Sequence, residues 1–291
     1  MRSGTLALVG KPNVGKSTLL NQLIGEKISI TSRKAQTTRA TILGVLTTNA
    51  AQFVFMDTPG FQNRFQNALY RGMNQNVKNT LVEVDVVIFI IEAGTFDDKD
   101  SALLPYLPKE KPVILAINKI DRLKNKNTLL PFIKKCQEHF NFAAIVPIAA
   151  ISQKESAPLL NVAQTFLPHD FLFFEESTIT DKSMRFLAAE FIREKIFRFL
   201  GDELPYSCAV EIEKFEETEK LARIFAAVWV ERDNHKAMLI GKNGNKLKHI
   251  ATTARRDLER LFGIKVYLEV WVKVKHGWAD NAALLKSLTQ I

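Results

Sequence analysis

The run Gly10-Lys11-Pro12-Asn13-Val14-Gly15-Lys16-Ser17 follows an apolar segment, Thr5–Val9, and precedes Thr18–Ile24, whose leucines and isoleucine recur at helical spacing. Gly-x-x-x-x-Gly-Lys-Ser between a strand and a helix is a phosphate-binding loop. Its glycines let the backbone wrap a polyphosphate, so that N–H groups from Gly10 through Thr18, those of Asn13, Val14 and Gly15 among them, face the anion with the helix N-terminus. Lys16 is placed to reach the β- and γ-phosphates, and the Ser17 hydroxyl to bind Mg²⁺. The same feature commits the chain to a strand-loop-helix beginning and so to an α/β fold.

The pattern downstream agrees. Apolar runs at Thr5–Val9, Thr41–Leu46, Gln52–Met56, Val84–Ile91, Val113–Asn118 and Ala144–Ile148 alternate with helical patterns at Lys16–Ile24, Ala68–Leu81, Asp98–Leu107, Leu129–His139 and Ser156–Thr165. Alternation of this kind predicts an α/β domain over residues 1–167 with a mostly parallel sheet covered on both faces, and with its phosphate loop that domain resembles a P-loop NTPase (Ras-like) domain. Residues 168–180, acidic and aromatic, read as a linker. Residues 181–291 read as a second, α+β domain: a helix over Met184–Leu200 closed by Gly201, strands at Ser207–Phe215 and Leu221–Glu231, a short helix, a glycine loop, a helix over Asn245–Phe262 and a strand over Lys265–Lys275.

Two further motifs fall where ligands bind in such sheets, at the carboxyl ends of strands. Asp57-Thr58-Pro59-Gly60 supplies a carboxylate for the magnesium and, at Gly60, a backbone N–H that can approach the γ-phosphate. Asn118-Lys119-Ile120-Asp121 supplies a carboxylate that accepts hydrogen bonds from guanine N1–H and the exocyclic amine. Adenine has no donor at that ring nitrogen and would leave the charge unpaired. The expected nucleotide is therefore GTP, with Lys119 laying its stem along the base. The segment Gln36-Thr37-Thr38-Arg39 offers a threonine for Mg²⁺ and the γ-phosphate. Thr38 is preferred because it immediately precedes the next strand. Pro147-Ile148-Ala149-Ala150 stands where GTPases usually place Ser-Ala to meet guanine O6 through a backbone N–H. Ala149 loses the serine's side-chain bond, and weaker nucleotide affinity is expected. Phe61 occupies the position after Gly60 where many GTPases carry a water-orienting glutamine. A phenyl ring cannot do that work, so slow intrinsic hydrolysis is expected.

A formal net charge of +9 and a pI near 9.4 favour a polyanionic partner. Cys136 and Cys208 have no metal or redox spacing and read as reduced thiols of a cytoplasmic protein. No signal peptide is expected, since the chain runs straight into its first strand, and no integral membrane segment, since apolar runs such as Val86–Ile91 are far too short to span a bilayer.

Leu239-Ile240-Gly241-Lys242-Asn243-Gly244-Asn245-Lys246-Leu247-Lys248-His249-Ile250 resembles the Ile-Gly-x-x-Gly core of KH domains, and the order with the long helix first resembles the prokaryotic (type II) topology. Glycines there let backbone approach a nucleic-acid strand while lysines neutralise phosphates. Over 236–291 eleven lysines and arginines stand against four acids, whereas over 201–235 nine acids stand against four bases. That sign reversal suggests one face meeting a polyanion. Ile240, Gly241, Lys242, Asn243, Gly244, Lys246, Lys248, Arg255 and Arg256 are the candidate RNA-binding residues.

A GTPase domain followed directly by such a KH domain resembles the Era family of bacterial GTPases over essentially the whole chain. Ile28–Arg39, Asp57-Thr58-Pro59-Gly60 and Asn118-Lys119-Ile120-Asp121 carry the likeness. The resemblance implies that the KH domain binds the 3′ end of small-subunit (16S) ribosomal RNA and that the GTP state controls docking on the maturing 30S subunit. It further implies a monomer, with some members of the family held loosely at the inner face of the membrane. Lys16, Thr38 and Asn13 are the catalytic candidates. In related GTPases the asparagine equivalent to Asn13 helps hold a potassium ion where an arginine finger would go. Two other readings are an RNA-binding scaffold with GTP as a structural cofactor, and a GTPase of tRNA modification or membrane insertion. The last would need a further domain or a membrane segment. If Asn13 holds potassium, replacing potassium by sodium lowers the steady-state rate of phosphate release; equal rates in the two buffers exclude that role.

Overall fold

The computed structural model describes residues 1–32, 34, 37–61, 68–200 and 208–276. Gly201 and Ser207, expected at element ends, lie outside these, as do Arg33, Ala35, Gln36 and 277–291. The described residues form two compact units.

The first unit contains β1 (Arg2–Val9), α1 (Lys16–Ile24), β2 (Ile42–Thr47), β3 (Ala51–Asp57), α2 (Ala68–Glu83), β4 (Val86–Glu92), α3 (Asp98–Ser101), β5 (Val113–Asn118), α4 (Leu129–Gln137), β6 (Ala144–Pro147) and α5 (Gln153–Gln164). Its six-stranded sheet runs β2-β3-β1-β4-β5-β6. β3, β1, β4, β5 and β6 are parallel, and β2 is an antiparallel edge strand on β3. Successive residues of β1, β4 and β5 are fully buried, as a sheet covered on both faces requires. Ala7, Val9, Phe89, Ile91, Leu115 and Ile117 pack with α2 and α4 residues. The chain leaves β1 towards β3 on one side and reaches β4 on the other, so the phosphate loop sits at the topological switch point.

Two helices differ from expectation. The segment over Asp98–Leu107 is broken, α3 ending at Ser101 and a 3-10 turn covering Leu104–Tyr106. Pro105 has no N–H to continue the helix. α5 starts three residues earlier than expected because Ser152 caps it, accepting from the Glu155 N–H. The stretch expected as a linker is bonded along the first unit. Ser3 and His169 exchange backbone hydrogen bonds, and Gln52 accepts from the N–H groups of Phe173 and Phe174.

The second unit contains α6 (Met184–Phe199), β7 (Cys208–Glu217), β8 (Leu221–Val230), α7 (Asp233–Ile240), α8 (Asn245–Phe262) and β9 (Lys265–Val274). β8 pairs antiparallel with β7 and parallel with β9. Alternate residues of β8 (Ala222, Ile224, Ala226, Val228 and Val230) face Phe191, Ile192 and Ile196 of α6 and Ile250, Ala254 and Leu258 of α8 in one core.

The described residues between Ile30 and Thr37 also belong to this unit. Ile30 is in its core. The Thr31 N–H donates to Glu194 at 3.0 Å, and Arg193 donates to the Thr37 carbonyl at 2.5 Å. Glu194 is itself fully buried and accepts from Lys195 at 2.8 Å and Arg198 at 2.9 Å. Lys195 also pairs with Asp257 of α8. Removing one member of a buried ion pair leaves an uncompensated charge, at a cost of about 3–5 kcal/mol. Lys195→Ala is therefore expected to lower the stability of this unit by about 3 kcal/mol, measured as a shift in its urea midpoint.

Candidate nucleotide site and nucleic-acid interface

The sequence motifs converge at the carboxyl edge of the first sheet. Val9 ends β1 before the phosphate loop, Asp57 ends β3, Asn118 ends β5, and Ala149-Ala150 follow β6. The Asn118 side chain ties three of these segments together. Its Nδ2 donates to the Val14 carbonyl at 2.7 Å, and its Oδ1 accepts from the Lys119 N–H at 2.7 Å and the Ala150 N–H at 2.9 Å. Gly15, at φ +106, is required there, because a Cβ would fall onto the Asn118 amide nitrogen.

The oxygen groups expected at magnesium are together. Ser17 Oγ donates to Asp57 Oδ2 at 2.6 Å and lies 2.9 Å from Thr38 Oγ1. The second Asp57 oxygen, Oδ1, is buried without a hydrogen-bond partner. A carboxylate with an orphaned oxygen beside two hydroxyls is a hard-oxygen donor set that suits Mg²⁺. Burial pushes the Asp57 carboxyl above its ordinary value, against the opposing pull of Ser17, Lys16 and Ser29. Ser29, which the sequence reading passed over, donates to Asp57 Oδ2 at 2.8 Å and is held by Asn21 of α1. No local pattern marks either residue, since their partnership spans a loop.

Lys16 Nζ donates to the carbonyls of Gly10 and Lys11, both at 3.0 Å. Burial lowers its pKa to about 8, although Asp57 opposes the shift. Lys11 pairs with Asp100 at 2.6 Å and Asp97 at 2.9 Å, bracing the phosphate loop against α3. Lys119 pairs with Glu92 at the end of β4, at 2.6 Å. Asp121 stays exposed on a 3-10 turn. Asn13 is exposed with φ +65, a left-handed conformation that asparagine tolerates. Phe61 is 3% exposed, its ring 5.3 Å from that of Tyr106. Only its N–H turns to the phosphate loop, donating to the Gly10 carbonyl at 3.3 Å.

In the second unit, Ile240 ends α7 and the Gly241–Gly244 turn leads into α8. Gly241 has φ +72, and a Cβ there would come within 2.7 Å of Lys246 Cβ. Asn243 is left-handed at φ +53. Lys242, Asn243, Lys246, Lys248 and Arg256 are exposed. The cations do not share one face. At about 100° per residue, Lys246 lies beside the glycine turn while Lys248 and Arg255 project from the far side of α8. Arg255 is engaged with Glu259 at 2.8 Å.

The family profile described as a 50S ribosome-binding GTPase matches residues 5–119, and that of the KH domain matches residues 203–279. GTPase Era of Nitrosomonas eutropha is 54% identical over 287 residues, covering 99% of this chain and 97% of that protein. GTPase Era of Neisseria meningitidis is 52% identical over 289 residues, covering 99% and 94%. Among solved structures, an Aquifex aeolicus Era variant bound to GDP and aluminium fluoride has a TM-score of 0.94 at 39% identity, covering 99% of each chain. Era in complex with MgGDPNP and nucleotides 1506–1542 of 16S ribosomal RNA also has a TM-score of 0.94 at 39% identity, covering 99% of this chain and 98% of that one.

A polyphosphate against Lys16 favours the charged amine and raises its pKa again. Nucleotide affinity should then be flat below about pH 8 and fall as pH rises above it, because binding must take up a proton. The ligand-free chain gains stability over the same window, since the unfolded state still holds the proton that folded Lys16 has released. Fluorescent-nucleotide titrations across this range check the sign, and Lys16→Arg, always charged, should abolish the dependence.

Proposed function

This chain belongs to the Era family of GTPases, and on that premise we propose that it couples its GTP cycle to 16S ribosomal RNA and assembly of the small ribosomal subunit. It hydrolyses GTP, with GTP/GDP and Mg²⁺ as its nucleotide and metal. The reading rests above all on the convergence of Ser17, Thr38 and the orphaned Asp57 oxygen in a chain that also carries a KH-type glycine turn.

Ser17, Asp57 and Thr38 are the groups that would hold magnesium, which, when bound, neutralises charge on the β- and γ-phosphates. Lys16 exchanges its loop carbonyls for phosphate oxygens. The loop N–H groups from Gly10 to Thr18 cradle the rest, as a helix N-terminus favours anions. Gly60 brings its N–H to the γ-phosphate. Asp121 reads the guanine edge, the Ala150 N–H, which Asn118 Oδ1 accepts here, must be shared with or released to guanine O6, and Lys119 covers the base. Phe61 is packed into the core and leaves the attacking water to be placed by backbone groups, another residue, a metal ion or a partner, with Asn13 the candidate to replace the glutamine by helping to hold a potassium ion, which fits slow turnover and a timing role.

RNA binding is assigned to Ile240, Gly241, Lys242, Asn243, Gly244 and Lys246, with Lys248 and Arg256 as supporting phosphate contacts and Arg255 as a contact that must first leave Glu259. The ribosomal RNA bound by the related Era supports that assignment and its extension to the 30S particle. In this reading the protein is a cytoplasmic monomer whose membrane association is peripheral. Among the described residues no helix is long and apolar enough to cross a membrane.

Gly241→Asp places a carboxylate where a phosphate should lie, in a conformation that disfavours a side chain. It is expected to weaken binding of a 16S 3′-end oligonucleotide at least about tenfold, as losing one charge-assisted contact does. GDP affinity should stay unchanged. Loss of GDP affinity with RNA binding intact would overturn the division of labour, and RNA occupancy independent of GTP versus GDP would overturn the coupling.

A further inference from the structure

The loop after β6 departs from the usual GTPase pattern by carrying Ala149 before Ala150, yet it is firmly held. Ala149 is fully buried and Ala150 is 3% exposed. The Ala149 carbonyl accepts from the Ser152 N–H at 3.0 Å and from Ser156 Oγ at 3.3 Å. Ser156 is fully buried. A helical serine ordinarily turns its hydroxyl to the carbonyl four residues earlier, which here would be that of Ser152. Instead the Ser152 carbonyl takes the Ser156 N–H, and the Ser156 hydroxyl reaches seven residues back, off the helix and into the loop. The residue after Ala149 gives its N–H to Asn118 Oδ1, so the direction of that N–H depends on how the Ala149 peptide is fixed.

We propose that Ser156 is a positioning residue for the guanine base: from α5 it fixes the Ala149 carbonyl and so the orientation of the Ala149–Ala150 peptide, whose N–H Asn118 Oδ1 accepts, replacing the support lost with the missing loop serine. The inference rests on the reading above that Ala149-Ala150 meets guanine O6. It requires no contact between Ser156 and nucleotide. Its chemistry is that of one neutral, buried hydrogen bond, donated from a rigid helix rather than from the loop itself.

A set of full-length variants tests it by GDP titration, with thermal melting alongside. Ser156→Ala is expected to weaken GDP binding about fivefold, the typical effect of one neutral hydrogen bond. Ser156→Thr, which keeps the hydroxyl, should stay within about twofold of the parent. Ala149→Ser added to Ser156→Ala should recover affinity without recovering whatever melting temperature was lost, which a purely structural role of Ser156 in α5 would not allow. Unchanged affinity in Ser156→Ala, or equal losses in the Ala and Thr variants, overturns the proposal. Asp121→Asn separates it from its premise: an amide there should exchange guanine for xanthine preference. If that exchange occurs while Ser156→Ala is silent, the base site stands and the role of Ser156 falls. If Asp121→Asn leaves base preference untouched, both fall.

Discussion

A single buried amide organises the nucleotide site. Asn118 donates to the phosphate loop at Val14 and accepts from Lys119 and Ala150, so three loops from three strand ends share one side chain. Each bond is worth only about 1 kcal/mol net, but a buried amide stripped of partners costs more than it ever contributed. The loops therefore keep a common geometry or lose it together. Gly15 follows from this crossing, since the phosphate loop can pass the amide only without a side chain.

Charge around that hub is arranged in opposed pairs. Lys11 is tied to Asp97 and Asp100, and Lys119 to Glu92, all on the segment joining β4 to α3. These carboxylates hold the phosphate loop and the segment after β5 through one ion pair or more each. Lys16 and Asp57 are different. Both are buried and perturbed by desolvation, the amine downwards and the carboxyl upwards. In the proposed site a polyphosphate and a cation would relieve that desolvation by supplying the missing charge to each.

The stretch between the phosphate loop and Asp57 contributes residues to both compact units. Ser29 donates to Asp57 and Thr38 lies against Ser17, whereas Thr31 donates to Glu194 and Thr37 accepts from Arg193 of α6. Arg193 and Glu194 look, in sequence, like ordinary polar positions of an amphipathic helix. Their burial at 3% and 0% is what reveals the clamp.

Local sequence was enough for the parallel sheet, the phosphate-loop turn and the glycine turn, and for placing Asp57 and Asn118 at strand ends, because each depends on residues adjacent in the chain and on strand or helix period. It also located the absence of a glutamine at Phe61. It could not show that Phe61 is sunk against Tyr106, that residues 168–180 are bonded along the first unit, or that Arg255 is engaged by Glu259. Nor could it connect Asn118 to Val14, Ser29 to Asp57, or Ser156 to Ala149. Those partners are brought together only when strands and helices pack, and a hydrogen bond between residues far apart in the chain leaves no periodic trace in it. Motif chemistry was written in the sequence; the support that aims it was decided by the tertiary structure.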